Sequence, residues 1–483
     1  MNHPARFASA LVFVAASWLA HAADIPPDAT DWIDADTGHR IIRLSTVPGS
    51  RTLYFHDNSY TPQGDKLIFE IASGGIGMID ITKLGVTPPQ SEIAIEGGRG
   101  SYAARRTREI YFVRGGAQGG GRGARGAVAP GAPANPAAGA APAAATTAAL
   151  PPAPDASPAA GARGGRGGGG GGFGGGEVFA FNVDTKAERK VPNATRALIN
   201  ADETFTLSTI AAEDPSGATP KPAFREPKPQ LERMFPGKKL TDLTPEQQYA
   251  VNKEEGLARR AVNPTGMAYI FTNLKTGEAK TVGYQYGSLN HMQFSPTDPT
   301  MLLYCYEGTW HEVDRVWTIR TDGTEQTLRH KRTMDMEIAG HEWWAFDGKS
   351  IWFDLQTPRS QVFWIAGVDL ASGKETRYPV DRDAWSVHYN RSRDGTLFMG
   401  DGGDETQVAF SKNGMWINLF RPQADGTMPR EKLVNMAKHN YVTGRGGVEP
   451  NGSITPDNKW VIFTGNFQGA NHVYAVEIAK AKK

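Results

Sequence analysis

A short repeat, in which a polar turn leads into a β-rich run, dominates the sequence. It recurs seven times, at residues 61–70, 106–113, 201–210, 295–305, 346–354, 393–401 and 455–465. A second alternating strand follows each run, beginning near Ile76, Glu177, Met267, Arg315, Gln361, Gly414 and His472. Alternation broken by Thr-Gly or Asp-Gly turns is typical of antiparallel strands. Seven four-stranded units repeated radially predict an all-β fold, a seven-bladed β-propeller.

The two ends of the chain complement each other in this pattern. Residues 36–45 carry the turn and outer strand of a blade but have no inner strands before them. The last blade, from residue 472 onward, has no outer strand after it. We therefore expect the N-terminal strand to complete the last blade and close the ring.

Two insertions interrupt the repeat, both between the second and third strands of a blade. Residues 115–176 are almost entirely Gly, Ala, Pro and Arg, which cannot bury enough apolar surface to offset ordering, so disorder is predicted. Residues 211–264 include Thr244 as an N-cap, Pro245 at the first helical position and Gln247 in the capping-box position, so this insertion is expected to be partly helical. Both insertions are expected to add to the face of the propeller on which the innermost strands begin.

The N-terminus has the pattern of a Sec signal peptide. Residues 1–22 combine a basic start, an apolar run and an Ala-His-Ala cleavage site, so the mature propeller, 23–483, is expected to be periplasmic or secreted. No later segment approaches the ~20 apolar residues of a spanning helix, and no membrane span is expected. The 52 basic residues balance 51 acidic ones, which argues against nucleic acid as a partner. Cys305 is the single cysteine, so no intrachain disulfide can form.

Histidines recur at the start of innermost strands. His341 and His388 each lie six residues before the turn aspartate of their blade, Asn451 has the same spacing, and His291 lies seven before its aspartate. Innermost strands line the central channel, so these side chains are expected to meet at one mouth. Glu449, two residues before Asn451, points to the same side. Such a ring suits a metal or acid–base centre, although channel residues can also be polar merely because they contact water.

Further polar residues are expected near this mouth. His311 and Arg315 lie on or beside the loop between the second and third strands of one blade, and Arg445 lies four residues before Glu449. An arginine here is a plausible partner for a substrate carboxylate. His56 fits the ring only in one threading of its loop. Four other histidines fall in outer strands or loops and are expected at the surface: His39, His330, His439 and His472.

Several motifs together resemble the oligogalacturonate lyase family. They are "CYEGTWHEVDRVW" (305–317), "GHEWWAFDG" (340–348), "VHYNRSRDGTLFMGDG" (387–402) and "SITPDNKWVIFTGNFQG" (453–469). The resemblance implies a seven-bladed propeller that degrades short pectin fragments by β-elimination with a divalent metal.

The resemblance also implies roles for individual residues. His341 matches the general base of the family, Arg315 the arginine that assists it, and His388 a metal-binding histidine. The family's Gln-x-x-His-Pro-His run is replaced by "GGVEPNGS" (446–453), which implies Glu449 and Asn451 as the remaining ligands and puts Gly446 where the glutamine stands. Fewer imidazoles and more oxygen ligands suit Ca²⁺ or Mn²⁺. Substrate binding is assigned to His291, His311 and Arg445.

The expected function is an exported polysaccharide lyase. It would cleave uronic-acid oligosaccharides of the oligogalacturonate kind by metal-assisted β-elimination to 4,5-unsaturated products. Two alternatives stay open. The altered ligand run is compatible with a lyase for a different uronate-containing glycan, and a hydrated channel is compatible with a non-catalytic, TolB-like periplasmic binding propeller.

Overall fold

The computed structural model describes residues 29–86, 91–115, 176–222, 224, 226–437 and 449–481. These residues form seven antiparallel sheets in a propeller arrangement, so the predicted fold is confirmed. The predicted signal peptide, 1–22, and most of the first insertion lie outside the described residues.

The strands are numbered in chain order, and blades are numbered from the first complete sheet. Two strands precede blade 1: β1 (Asp31–Ile33) and β2 (His39–Arg43). Blade 1 contains β3 (Ser50–Arg51), β4 (Lys66–Ile71), β5 (Gly75–Asp80) and β6 (Ser91–Glu96). Blade 2 contains β7 (Gly98–Ala103), β8 (Glu109–Arg114), β9 (Glu177–Asn182) and β10 (Glu188–Val191). Blade 3 contains β11 (Phe205–Ala211), β12 (Gly266–Asn273) and β13 (Ala279–Tyr286), preceded by a single bridge between Ile199 and Thr206.

The remaining blades follow the same order. Blade 4 contains β14 (Ser288–Phe294), β15 (Met301–Glu307), β16 (Val316–Arg320) and β17 (Thr327–Leu328). Blade 5 contains β18 (Ile338–Trp344), β19 (Ser350–Gln356), β20 (Phe363–Asp369) and β21 (Glu375–Val380). Blade 6 contains β22 (Tyr389–Arg391), β23 (Phe398–Gly400), β24 (Trp416–Phe420) and β25 (Arg430–Asn435). Blade 7 contains β26 (Ser453–Ile454), β27 (Trp460–Gln468) and β28 (Ala470–Lys480).

The N-terminal strand closes the ring, as the sequence predicts. Strand β2 pairs antiparallel with β28, with Ile41 opposite Val476, and β1 adds outside β2. The last blade is thus built from both ends of the described chain, which ties the first and last blades together.

Apolar side chains pack between neighbouring blades rather than in one central core. The buried residues of the described chain fall into seven clusters, one for each interface between blades. Between blades 5 and 6, for example, Trp343 and Trp352 pack with Tyr389 and Phe398. Because each sheet is covered on both faces, its central strands are apolar on both faces.

The second insertion carries the helices α1 (Gln230–Met234) and α2 (Pro245–Ala261), and short 3-10 segments occupy Ile81–Lys83, Leu240–Asp242 and Arg382–Ala384. Helix α2 begins with reciprocal hydrogen bonds between Thr244 and Gln247. Its fully buried Glu254 accepts a hydrogen bond from Arg359 of the propeller at 2.7 Å, which anchors the helix beside blade 5. No helix in the described part of the chain is both long enough and apolar enough to cross a membrane.

Candidate active site

The innermost strands of blades 2, 4 and 5 have a register shift at an equivalent point, which flanks Gly100, His291 and His341. The other blades have a residue at the corresponding position of the repeat. We call the residues at this point, one from each blade, the mouth ring: His56, Gly100, Arg196, His291, His341, His388 and Asn451.

The backbone of the mouth ring is strained at three positions that are not glycine. His291, His341 and Asn451 have φ values of 46°, 48° and 46°, in the left-handed region. Side chains other than glycine rarely adopt this conformation, and where it persists it concentrates at functional sites. The bulges that create it re-aim these side chains.

Four imidazoles gather at the mouth ring. The ring centroids of His341 lie 5.0 Å from His388 and 5.7 Å from His291, and His56 lies 5.5 Å from His291. The structure therefore brings together the predicted residues of blades 4, 5 and 6. It also places His56 with them.

His341 is held by a carboxylate beneath it. Its Nδ1 donates to Asp354 Oδ1 at 3.0 Å, and the Asp354 side chain is buried in the middle of β19. Burial, followed by the nearby His388 and His291, lowers the pKa of His341 well below the usual histidine range. Burial raises the pKa of Asp354 to about 7. An uncharged imidazole at neutral pH is the form that can accept a proton.

A second buried carboxylate, Glu342, connects His291 with Arg315. His291 Nδ1 donates to Glu342 Oε2 at 2.8 Å, and Arg315 Nε lies 3.6 Å from Glu342 Oε1. Burial acts to raise the pKa of Glu342, but the hydrogen bond from His291 and the charge of Arg315 outweigh it and lower the pKa to about 2. Arg315 is 2% exposed, and its Nε and Nη1 have no hydrogen-bond partner in the described part of the chain. Its guanidinium lies 5.3 Å from the ring centroid of Trp310.

His388 is fixed at one nitrogen and unpaired at the other. Asp401 accepts hydrogen bonds from His388 Nδ1 and from its backbone N–H, both at 2.8 Å. Nε2 is buried, has no hydrogen-bond partner among the described residues, and lies 3.8 Å from Glu449 Oε2. Burial acts to lower the pKa of His388, but Asp401 outweighs it and raises the pKa. The ring stacks on Phe55 with centroids 4.6 Å apart.

His388 Nε2 and Glu449 Oε2 fit a divalent cation, because a buried imidazole nitrogen without a partner faces a carboxylate oxygen. The predicted third ligand, Asn451, does not join them in this conformation. Its Oδ1 accepts the Phe55 N–H at 3.2 Å, and its Nδ2 donates to the Glu449 carbonyl. Only an oxygen can accept from an N–H, so the orientation of the amide is determined.

Another potential metal-binding group lies beside this centre. Ligand atoms of His291, Cys305 and Glu342, all buried, lie within 4.8 Å of one another. The positive charge of Arg315 next to Glu342 disfavours a cation there, and burial raises the pKa of the Cys305 thiol, which keeps it protonated. His388 and Glu449 are therefore the better pair.

The structure does not favour a substrate contact for His311. The residue is fully buried, and its Nδ1 contacts Arg359 Nη1 at 3.2 Å beneath helix α2. Burial and the neighbouring Arg359 lower its pKa to about 3. Arg445 and Gly446 lie outside the described residues.

The expectation of surface positions for the outer histidines is wrong for three of them. His39, His330 and His472 are all buried, because the outer strands and loops that carry them are covered by neighbouring elements. His330 Nδ1 and Nε2 contact Glu375 and Glu337 at 2.6 and 2.8 Å. His439 lies outside the described residues.

Sequence reasoning missed the carboxylates that hold the imidazoles, Asp354, Asp401 and Glu342, and one member of the mouth ring, Arg196. A charged residue inside an otherwise apolar strand, as in "SIWFDLQ" (350–356), is the signal that could have identified Asp354. Arg196 lies six residues before Asp202, the spacing that His341 has from Asp347.

Fold and site together define a seven-bladed propeller with a histidine–carboxylate centre at one mouth of its channel. The family model described as oligogalacturonate lyase matches residues 261–482, a little under half of the chain.

Two curated relatives each match somewhat less than half of the chain. An oligogalacturonide lyase from Pectobacterium atrosepticum is 28% identical over 215 residues, which are 43% of this chain and 55% of the relative. An oligogalacturonate lyase from Dickeya dadantii is 29% identical over 212 residues, 43% of this chain and 54% of the relative. The chain thus spans about half the length of the curated relatives it matches.

Two solved structures are similar over nearly the whole chain. An oligogalacturonate lyase in complex with manganese has a TM-score of 0.62 at 17% identity and covers 93% of this chain and 96% of its own. An oligogalacturonate lyase from Vibrio parahaemolyticus has a TM-score of 0.61 at 16% identity and covers 94% of this chain and 97% of its own. At these identities they establish the fold.

Proposed function

We propose that this protein is a lyase that cleaves uronic-acid oligosaccharides of the oligogalacturonate kind by β-elimination. The observation that carries the proposal is His341: a partly buried, uncharged imidazole held at Nδ1 by Asp354, in the same site as a buried arginine and a candidate cation site. The names of the curated relatives support the substrate class.

His341 is the proposed general base. With Nδ1–H donated to the ionised Asp354, the lone pair of Nε2 is available to a substrate in the channel. Nε2 removes the C5 proton of the uronate, and the electrons of the C5–H bond form the C4=C5 double bond. The C4–O bond breaks with its electron pair, and the departing oxygen takes a proton from water. The products are a saturated fragment and a 4,5-unsaturated sugar. A positioned base contributes roughly 10²- to 10⁴-fold.

Removing the C5 proton places negative charge on the uronate carboxylate. Arg315 is almost fully buried, so its charge acts at short range with little solvent screening. Its Nη1 has no partner in the described part of the chain, and Glu342, 3.6 Å from Nε, holds the guanidinium in place. A divalent cation bound by His388 and Glu449 would supply further positive charge for that carboxylate. The manganese complex of a structurally similar lyase is consistent with such an ion.

The test is to mix purified protein with oligogalacturonides and follow the ultraviolet absorbance of the unsaturated uronate. We expect product with added Mn²⁺ or Ca²⁺ and a loss of activity with chelator that either ion restores. The matched variant is His388→Gln, which should reduce the stoichiometry of bound metal. No unsaturated product from any uronate, combined with unaltered binding of the oligosaccharide, would instead identify a binding propeller.

A lyase for a different uronate-containing glycan is the second candidate. The observation that favours it is Asn451, whose amide fixes the loop around Glu449 and Phe55. The surroundings of the candidate cation therefore differ from the imidazole-rich run that the family resemblance implies. A lyase screen across several uronate glycans separates the two candidates by the substrate with the highest kcat/KM.

We further propose that the protein is exported, on the pattern of residues 1–22. N-terminal sequencing of protein from fractionated cells tests this. A periplasmic or secreted chain beginning near Ala23 is the expected result, and an uncleaved cytoplasmic chain would contradict it.

A further inference from the structure

The mouth ring contains one arginine, Arg196, which occupies in blade 3 the position that His341 occupies in blade 5. Both lie six residues before a turn aspartate. Asp202 accepts hydrogen bonds from the backbone and hydroxyl of Thr204, and Asp347 accepts one from the backbone of Lys349. Arg196 also comes just before the bridge of Ile199 that forms the innermost strand of its blade. The repeat thus assigns its side chain to the channel.

The surroundings of the guanidinium agree with this assignment. Arg196 is half-buried, and its guanidinium makes no hydrogen bond or ion pair with any described residue. Burial lowers the pKa of Arg196, and the charge of Asp57, next to His56 in blade 1, acts against this lowering. Blade 2 lies between blades 1 and 3 and contributes Gly100, which has no side chain, to the mouth ring. The place of Arg196 in the repeat, with only a glycine between it and blade 1 in the mouth ring, therefore puts its side chain at the channel.

The mouth ring therefore has two chemically different sides. Blades 4, 5 and 6 present His291, His341 and His388. Blades 2 and 3 present a glycine and an arginine with no close anionic partner in the described part of the chain. The ring of His341 faces the rings of Phe55, His291, Trp310 and His388, and Arg196 is not among its contacts in the described part of the chain. Arg196 therefore does not belong to the group of side chains that surrounds the proposed base.

We propose that Arg196 binds a second carboxylate of the substrate, that of the uronate unit next to the one that loses its proton. The inference rests on the proposed function, and it explains a charge that the elimination itself does not require. A guanidinium binds a carboxylate through two parallel N–H donors, and burial on one side strengthens the pair. Arg196 would thus select for an oligomer with neighbouring carboxylates over a single uronate.

The test compares wild type with Arg196→Gln and Arg196→Lys on trigalacturonate. A hydrogen bond to a charged group predicts a KM about 10- to 100-fold higher for Arg196→Gln, with kcat within about twofold, and partial recovery in Arg196→Lys. The matched control is Arg329→Gln, another partly buried arginine, which follows the outermost strand of blade 4 away from the channel, donates through Nε to Thr318 Oγ1 and should leave KM unchanged.

A binding measurement separates this inference from the proposed function. Calorimetric titration with trigalacturonate should show weaker binding to Arg196→Gln, and a smaller decrease in its affinity with added salt than in wild type. Wild-type cleavage with unchanged KM and affinity in Arg196→Gln would overturn the inference and leave the lyase intact. If wild type binds without cleaving, weaker binding by Arg196→Gln still supports the second carboxylate site. A wild type that neither cleaves nor binds trigalacturonate overturns both.

Discussion

His341 of blade 5 and His330 of the loop that leads from blade 4 into blade 5 both pair with carboxylates, yet their pKa values shift in opposite directions. His330 contacts Glu375 through Nδ1 and Glu337 through Nε2. Burial acts to lower the pKa of His330, but hydrogen bonds to Glu337 and Glu375 outweigh it and raise the pKa to about 9. His341 contacts one carboxylate, Asp354, and shares its surroundings with two other imidazoles, and its pKa is lowered.

The comparison shows that burial and a carboxylate partner do not by themselves identify a functional histidine. His330 has both nitrogens engaged, so no nitrogen is left to accept a proton or bind a ligand. His341 keeps one nitrogen for the channel and is held in a left-handed backbone conformation with φ of 48°. A charged histidine with both ring nitrogens in hydrogen bonds stabilises the fold, whereas an uncharged histidine with one ring nitrogen unpaired can accept a proton from a substrate.

The largest expected effect is a loss of activity that distinguishes His341 from His330. His341→Gln should lower kcat on trigalacturonate by roughly 10²- to 10⁴-fold, because the base is lost while the side-chain volume is nearly kept. The thermal unfolding midpoint should change little, since the residue strains its own backbone. His330→Gln, assayed at a temperature where it is folded, is the matched control and should retain wild-type kcat. Equal losses in both variants would contradict the distinction.

The next effect concerns stability and belongs to His330. Its pKa in the folded protein, about 9, lies above the ordinary value of 6.5, so its charged form is stabilised by folding. This stabilisation, roughly 3 kcal/mol, is fully present below pH 6.5 and is lost as the pH rises through 9. Denaturant unfolding at pH 6 should therefore show a large difference in free energy between wild type and His330→Gln, and the difference should shrink by about that amount at pH 10. A pH-independent difference would show that His330 contributes only packing.

The sequence alone identifies those site residues whose positions follow from the repeat. A fixed spacing from the turn identified His341, His388 and Asn451, because equivalent positions of a propeller converge on its axis. The carboxylates could not be identified in this way, because Asp354 and Asp401 contact the imidazoles from the neighbouring strand of each blade. The spacing of the turns does not determine how that strand is paired.

Contacts between residues that are distant in the sequence were also beyond prediction. The backbone N–H of Phe55 in blade 1 donates to the amide of Asn451 in the adjacent blade 7, at a sequence separation of 396 residues. His330 likewise contacts Glu375, a residue of the outermost strand of blade 5 that lies 45 positions further along the chain. Periodicity gives the face on which a side chain lies, but the hydrogen-bond partner of a buried polar group depends on packing between blades.

The smallest expected effect is a pH dependence of activity that comes from Asp354, the carboxylate partner of His341. Because burial raises its pKa to about 7, Asp354 is increasingly protonated below neutral pH. A protonated Asp354 no longer accepts the proton of His341 Nδ1, and the tautomer with a free Nε2 lone pair is disfavoured. We therefore expect kcat/KM to fall about tenfold for each pH unit below 7.

The pH profile of Asp354→Asn provides the control. An amide cannot ionise, so this variant should be less active at pH 8 and should lose the limb near pH 7, while its remaining activity varies little between pH 6 and 8. A limb near pH 7 that persists in Asp354→Asn would assign the titration to another group. In that case the single carboxylate contact of His341 would orient the ring without controlling its tautomer, and the difference from His330 would lie in the number of paired nitrogens alone.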